Sequence, residues 1–254
     1  MSDVLATDIQ FIKGIGPKLA QVLSKKGIST VEDALYFLPR TYEDRRRITK
    51  CRDLVPNQNA TLLLKVVSQR EIRMGRKARL EVVAGDDTGR IRLSWFHAYP
   101  SLREDFAEGN TLVCFGEIKF FKGILQISHP EYEKITELQE GKPKASIHFG
   151  RVVPVYSETE GLHQKTIRRM MGEVMRLSLN SLDDSLPEPM RNRLALPSLR
   201  SSFKAVHFPE ECPKENEVSK YLQRIIFEEF FTSPFLPDAI ELRCCLNLAL
   251  DPRP

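Results

Sequence analysis

The sequence predicts an α+β fold in which a small barrel of five strands lies between two helical segments. Three observations predict it. Apolar residues have helical spacing before residue 40, strand-like runs begin at Ala60, and helical spacing returns after residue 150. The chain has 254 residues, of which 41% are hydrophobic and 14 are Phe, and this is enough to form a sizeable core.

The N-terminal segment is predicted to be a hairpin of two short helices. The first helix begins at the Gly16-Pro17 step, where proline suits a first helical turn. Thr30 can cap the second helix, with Asp33 completing a capping box, and Pro39 stops it. A polar connection then leads to residue 59.

Strand patterns occupy the next segment. The stretch "ATLLLKVVSQREI" predicts one strand, "KARLEVVAGDDTGRIRLSWF" predicts two strands around a turn, and "NTLVCFGEIKFFKGILQISHPEYEKI" predicts two more around Lys122-Gly123. Between the third and fourth strands, "AYPSLREDFAEGN" has room for one short helix. Five strands with a helix after the third is the order of an OB-fold, a Greek-key barrel that binds oligonucleotides on one face and with two loops. Those loops are predicted to be "REIRMGRKAR" and "KFFKG".

The last segment is predicted to be helical. "LHQKTIRRMMGEVMRLSLNSL" and "VSKYLQRIIFEEFF" have helical apolar faces, and five prolines interrupt the region between them. The sequence therefore divides into a helical hairpin and linker (1–59), an OB-fold (60–135), a helical linker (136–231) and a tail (232–254).

Basic residues cluster at two places in a chain whose net charge is only +4. One cluster is Arg45 to Arg47 with Lys50 and Arg52. The other lies in the first barrel loop, and Lys119 and Lys122 flank the second. A clustered basic loop suits contact with phosphates, whereas a single charge run is usually a solvated surface. The candidate DNA-backbone residues are Arg70, Arg73, Arg76, Lys77, Arg79, Lys119 and Lys122.

Two further features have a functional and a structural interpretation. The Gly14 to Gly16 turn exposes backbone N–H groups at a helix N-terminus, which can hold a DNA phosphate, but glycines there can also allow close helix packing. Trp95, Phe96 and Tyr99 can stack on unpaired bases or pack under the following helix. Because neighbouring strand residues point to opposite faces, one of Trp95 and Phe96 must point outward.

The sequence contains no candidate catalytic residue and no metal site. Its five Cys and five His lack metal-ligand spacing, and no phosphate-binding G-x4-G-K-[ST] loop occurs. It also contains no apolar run of transmembrane length and no secretory signal, so we expect a cytoplasmic protein without membrane contact. We expect no cofactor in this chain.

Taken in order, these stretches resemble the N-terminal part of the bacterial branch-migrating DNA helicase family RecG. The resemblance is carried by "IKGIGPKLAQVLSKKGISTVEDALYFLPRTYEDR", "LEVVAGDDTGRIRLSWF", "GEIKFFKGILQISHPEYE", "PVYSETEGLHQKTIRRMM", "LPEPMRNRLALPSL", "FKAVHFPE" and "LQRIIFEEFF". It covers about residues 9 to 231.

The resemblance implies a wedge domain that splits the arms of a replication fork or Holliday junction, followed in the family by motor domains that use ATP and magnesium. Phe96 matches a stacking aromatic of the family's "WFN" motif, with His97 in place of Asn. Tyr99 stands one place before the second aromatic, where this chain has Pro100. Residues 232–254 depart from the family pattern, and we hypothesise a frameshifted or truncated reading frame without the motor.

The expected function is binding of branched or single-stranded DNA in repair and recombination, without ATP hydrolysis by this chain. The alternative is a protein-binding adaptor, for example one that docks a single-stranded-DNA-binding protein, because OB-folds also serve as protein platforms.

Overall fold

The structure is a computed structural model, and it describes residues 4–74, 77–96, 100–136, 138–139, 142–143, 145–213 and 219–232. The chain divides into two compact units. Unit 1 comprises residues 1–41 and 154–254, and unit 2 comprises residues 42–153. The helical segments before and after the barrel were predicted to be separate. In the structure they belong to one unit. Strands β1 (Thr41–Asp44) and β11 (Val152–Val155), which connect the units, pair with each other.

Unit 1 is helical. Its N-terminal part has a 3-10 turn (Ile9–Phe11), α1 (Pro17–Ser24) and α2 (Val31–Leu35). Its C-terminal part has α4 (Gln164–Ser178), a 3-10 turn (Leu179–Ser181), α5 (Glu188–Arg193), α6 (Leu199–His207) and α7 (Lys220–Thr232). The predicted capping box is confirmed: Asp33 N–H donates to Thr30 Oγ1 at 3.1 Å, and Thr30 N–H donates to Asp33 Oδ2 at 2.9 Å. Helix α2 ends at Leu35, three residues earlier than the apolar pattern predicted.

The core of unit 1 joins its two chain segments. The buried apolar cluster contains Leu23, Val31 and Leu35 from the N-terminal part, and Ile167 and Phe203 from the C-terminal part. Burying these side chains together is the main favourable contribution to joining the segments. Neither helical segment has this core without the other.

Unit 2 contains the predicted barrel. Its elements are a 3-10 turn (Cys51–Asp53), β2 (Asn59–Met74), β3 (Lys77–Gly85), β4 (Arg90–Trp95), α3 (Pro100–Asp105), β5 (Thr111–Glu117), β6 (Lys119–Phe121), β7 (Ile124–Ser128), β8 (Glu131–Ile135), β9 (Leu138–Gln139) and β10 (Lys142–Pro143). The order in the main sheet is β6-β7-β4-β3-β2-β5-β8. Strand β6 continues β5 after the buried residue Ile118, so the sheet closes on itself.

This topology confirms the OB-fold prediction. The five barrel strands are β2, β3, β4, β5 with its continuation β6, and β7, and β8 is an additional strand beside β5. The helix follows the third barrel strand, and β4 and β7 are parallel. The stretch after Lys122-Gly123, "ILQISHPEYEKI", was predicted to be one strand, but β7 ends at Ser128. His129 has a positive φ of 51° and Pro130 follows, so the chain turns there, and β8 pairs separately with β5.

The first barrel loop differs from its prediction. After a register shift between Val66 and Ser68, strands β2 and β3 pair without a break up to Met74 and Lys77, whereas β2 pairs with β5 only from Asn59 to Lys65. Most of "REIRMGRKAR" therefore belongs to a two-stranded arm that extends past the pairing of β2 with β5 and of β3 with β4, and we call it the basic arm (residues 70–74 and 77–79). Local sequence predicted its basic charge but not its strand pairing.

Candidate nucleic-acid interface

Alternation along the strands gives the barrel sheet an outer face. In β4, Ile91, Leu93 and Trp95 are buried in the core, so Arg92, Ser94 and the following residue Phe96 point the other way. The registers of β3, β7 and β6 extend this face to neighbouring strands. Its members are Arg70, Arg79, Glu81, Val83, Arg90, Arg92, Ser94, Phe96, Lys119, Phe121, Ile124 and Gln126. Glu81, Ser94 and Gln126 are buried among their neighbours on this face.

Phe96 lies at one end of the outer face with its ring 48% exposed. The Arg79 guanidinium lies 5.4 Å from its centroid, and the edge of the His129 ring approaches with centroids 4.9 Å apart. The Phe96 backbone N–H also donates to His129 Nε2 at 3.4 Å. An aromatic ring that is held from two sides and still half exposed offers a flat surface for a base.

Trp95 corrects part of the stacking prediction. Its side chain is only 7% exposed and packs in the barrel core against Phe106, with ring centroids 4.4 Å apart, and against Tyr132 at 5.9 Å. Trp95 lies on the core side of β4 because it follows Leu93 by two residues. Its indole is therefore structural. The third predicted ring, Tyr99, lies outside the described residues.

Three of the predicted basic residues, Arg70, Arg79 and Lys119, lie on the outer face with Phe96. Arg70 stands opposite Glu81 in the strand register, and its Nη2 lies 2.9 Å from Glu81 Oε2. Arg79 Nη2 lies 3.3 Å from the other oxygen of the same carboxylate. The Arg70 side chain is 70% exposed, and Glu81 also pairs with Arg79, so a phosphate can compete with Glu81 for Arg70.

Arg73 lies on the opposite face of the basic arm. It pairs with Ala78 in the register and its Nε donates to Glu71 Oε1 at 2.9 Å. Glu71 also forms an ion pair with Arg103 of α3. The structure therefore does not bring Arg73 together with Arg70 and Arg79. Arg76 lies outside the described residues, and of Lys77 only the backbone is described.

The second predicted loop is a tight hairpin. Lys122 and Gly123 both have positive φ, at 50° and 80°, which is the two-residue turn that matches strand twist. Lys119 Nζ lies 3.0 Å from Glu117 Oε2, and Lys122 Nζ lies 5.5 Å from the centroid of the Phe121 ring. Both lysines are exposed, and their contact with a DNA backbone stays a prediction.

The sequence prediction did not include two further cations of the outer face, Arg90 at the start of β4 and Arg92 two residues later. Within the part of the chain that the structure describes, neither has an acidic partner. The signal was present in "RIRLSWF", where Arg90 and Arg92 alternate with the core residues Ile91 and Leu93. Because an apolar residue separates the two arginines, they do not form a cluster of charge in the sequence.

The other predicted basic cluster contains one buried and four exposed cations. Arg45 is 1% exposed, and its guanidinium lies 3.9 Å from the Phe115 ring centroid and 2.8 Å from a Glu131 oxygen. Arg46 is exposed and pairs with Asp44 at 2.6 Å, and Lys50 pairs with Asp87. These contacts pair Arg45, Arg46 and Lys50 within unit 2, while Arg47 and Arg52 are exposed.

The turn between β3 and β4 is fixed by Asp86. Burial would raise the pKa of this carboxyl, but hydrogen bonds from Thr88, Cys51 and Gly89 outweigh burial and lower the pKa to about 2. Asp86 therefore remains ionised and holds the start of β4, which sets the register of Arg90 and Arg92.

The glycine turn lies in unit 1. Gly14 has a φ of +88°, so its conformation requires glycine. Gly16 is the N-cap of α1, and a Cβ atom at Gly14 or Gly16 would meet no atom of the described chain within 4 Å. Close helix packing therefore does not explain these glycines, and phosphate contact by the turn stays a prediction.

Among the described residues, no group of three or more His, Cys, Asp and Glu side chains is arranged to hold a metal ion. No helix in the described ranges is long and apolar enough to cross a membrane.

Comparison with known proteins identifies the family of this chain. A family model for the RecG wedge domain matches residues 8–177. The ATP-dependent DNA helicase RecG of Thermotoga maritima is 30% identical over 227 residues, which are 89% of this chain and 28% of the relative. RecG of Haemophilus influenzae is 31% identical over 230 residues, covering 88% of this chain and 32% of the relative. The chain therefore spans about a third or less of these relatives' length.

A solved structure of RecG bound to a three-way DNA junction also resembles the chain. Its TM-score is 0.67 with 31% sequence identity, over 81% of this chain and 27% of that one.

Proposed function

This chain belongs to the RecG wedge domain family, and we propose on that basis that it binds branched DNA, with the outer face of its barrel at the branch point. The observation that carries the proposal is Phe96, a half-exposed ring beside Arg79 at the end of β4, where the basic arm extends beyond the barrel. The related structure bound to a three-way junction supports it.

In this role Phe96 stacks on a base at the branch, and Arg70 and Arg79 contact backbone phosphates. Stacking on a ring does not depend on base identity, so binding selects DNA structure rather than sequence. We propose that the chain acts in this way within a RecG-like helicase at replication forks and Holliday junctions, in repair and recombination in the bacterial cytoplasm. In the family we expect ATP and magnesium to serve the motor domains, and the role proposed for these residues is DNA contact alone.

The test is a Phe96→Ala variant titrated with a labelled three-way junction and with plain duplex. We expect the variant to lose about fivefold or more in junction affinity, because one stacked ring is worth about 1 to 3 kcal/mol, while its circular dichroism stays unchanged. Phe11→Ala is the matched control, because Phe11 is an exposed ring in unit 1. An unchanged preference for junctions in Phe96→Ala would count against the proposal.

Repeating the titration at two salt concentrations separates DNA binding from the adaptor function. Phosphate contacts release counterions, so junction affinity should fall steeply as salt rises. A chain that serves only to dock a single-stranded-DNA-binding protein would bind no junction even at low salt.

A further inference from the structure

We propose that Phe121 is a second base-stacking residue, and that a single strand of DNA crosses the outer face of the barrel from Phe96 to Phe121. The inference rests on the proposed function and adds the path of the strand. Phe121 and its neighbour Ile124 are 50% and 40% exposed, which is unusual for large apolar side chains on a barrel sheet.

Strand register places Phe121 on the same face as Phe96. Arg92 of β4 pairs with Gln126 of β7, and Gln126 pairs with Lys119 of β6, so all three point outward. Phe121 follows Lys119 by two residues and therefore shares its direction. Phe120, which is 63% exposed, pairs with Leu125 and points to the opposite face of the hairpin.

The two rings lie at opposite ends of the outer face. Strand β7 runs parallel to β4, so its start at Ile124 lies beside the start of β4 at Arg90, and Phe121 pairs with Ile124. From Arg90 to Phe96 the chain advances six residues, which is about 20 Å at the rise of a strand. A strand of several nucleotides spans such a distance, within the range of site sizes known for OB-folds.

The charge between the rings suits a polyanion. Arg90 and Arg92 lie along the path and Lys122 lies beside Phe121, and none of the three has an acidic partner within the described ranges. Rings at two ends with cations between them match the alternation of bases and phosphates in a single strand. An apolar peptide would use the rings but not the arginines.

The experiment compares oligo(dT) of about 4 and about 12 nucleotides, lengths at the lower end and near the upper end of OB-fold site sizes. In the full chain, Phe121→Ala should weaken binding of the longer oligonucleotide by about fivefold or more and leave the shorter one nearly unchanged. Phe120→Ala is the matched control, since it removes an adjacent exposed ring from the other face, and it should bind both lengths as the unchanged chain does.

Three outcomes would overturn the inference: equal behaviour of Phe121→Ala and Phe120→Ala, an equal loss at both lengths, or unchanged DNA affinity with weaker binding of a single-stranded-DNA-binding protein. The third would make the hairpin a protein-docking surface. Failure of the proposed function is distinguishable, because the unchanged chain would then bind neither junction nor oligonucleotide. If Phe96→Ala loses junction preference while Phe121→Ala has no effect, only the path of the strand is wrong.

Discussion

Arg45 is a charged side chain that stabilises the interior of unit 2. Its guanidinium donates to Glu43, Glu131 and the carbonyl of His148, and it lies against the face of Phe115. These partners come from chain segments far apart in sequence, so one side chain connects the residues before β2 to β8 and to the loop before β11.

We expect Arg45→Ala to lower the free energy of unfolding by about 3 kcal/mol, because it leaves two carboxylates and a carbonyl without their shared donor. Urea denaturation followed by circular dichroism measures this. Arg46→Ala is the control, because that exposed side chain forms an ion pair with the nearby, exposed Asp44, and its loss should cost under about 1 kcal/mol. Equal effects of the two substitutions would show that the buried contacts do not matter.

His207 is a buried, uncharged side chain in the core of unit 1. Its Nε2 lies 2.8 Å from the carbonyl oxygen of Leu35, which can only accept, so Nε2 carries the proton. Nδ1 then accepts from the Tyr156 hydroxyl at 2.9 Å. Burial lowers the pKa of His207 to about 4 from its ordinary 6.5, against the hydrogen bond to Leu35, which favours the charged ring.

This pKa makes the stability of the chain depend on pH in a defined window. Between pH 6.5 and about 4 the unfolded chain takes up a proton at His207 that the folded chain does not. The free energy of unfolding should therefore be unaffected by this group above pH 6.5 and should fall by about 3 kcal/mol as pH decreases towards 4. Urea denaturation across this range checks it, and His207→Gln should show a smaller fall. The same slope in both chains would contradict the assignment.

Whether a single strand residue points outward could be predicted only from the alternation of side chains along the strand. The sequence indicated that one of Trp95 and Phe96 points outward, but which of them does so depends on the core partners Phe106 and Tyr132, which lie elsewhere in the chain. The sequence likewise did not show that Arg73 lies across the basic arm from Arg70, because that depends on the register with β3.

At the level of elements, local patterns predicted most of the helices and strands. Some signals depend on residues that are close together in the chain, so the sequence alone predicts them. They are the capping residues of α2, the Lys122-Gly123 turn and the alternation in β4. The basic arm was predicted as a loop because a run rich in arginine lacks an apolar strand pattern. The basic arm is nevertheless paired, because β2 and β3 form backbone hydrogen bonds along it. The register of this pairing determines which cations lie on the same face as Phe96.

At the scale of the whole molecule, unit 1 is assembled from two distant parts of the chain. The His207 ring bonds to Leu35 of α2, and the Tyr36 and Phe203 rings pack edge to face with centroids 5.2 Å apart. Helical periodicity in each segment gave no sign that the two share one core, because periodicity reports which face is buried and not what buries it.

Unit 2, in contrast, is one continuous stretch of chain, and this leads to a prediction about fragments. Residues 42–153 contain the whole barrel core and every partner described here for Arg45, so the isolated fragment should show β-type circular dichroism and a cooperative urea transition. Residues 154–232 alone should show neither a cooperative transition nor the full helix content, because their apolar faces lack the residues of α1 and α2. Adding a peptide of residues 1–41 should restore helix content to that fragment. A cooperative transition in residues 154–232 without the peptide would mean that the shared core is dispensable for folding.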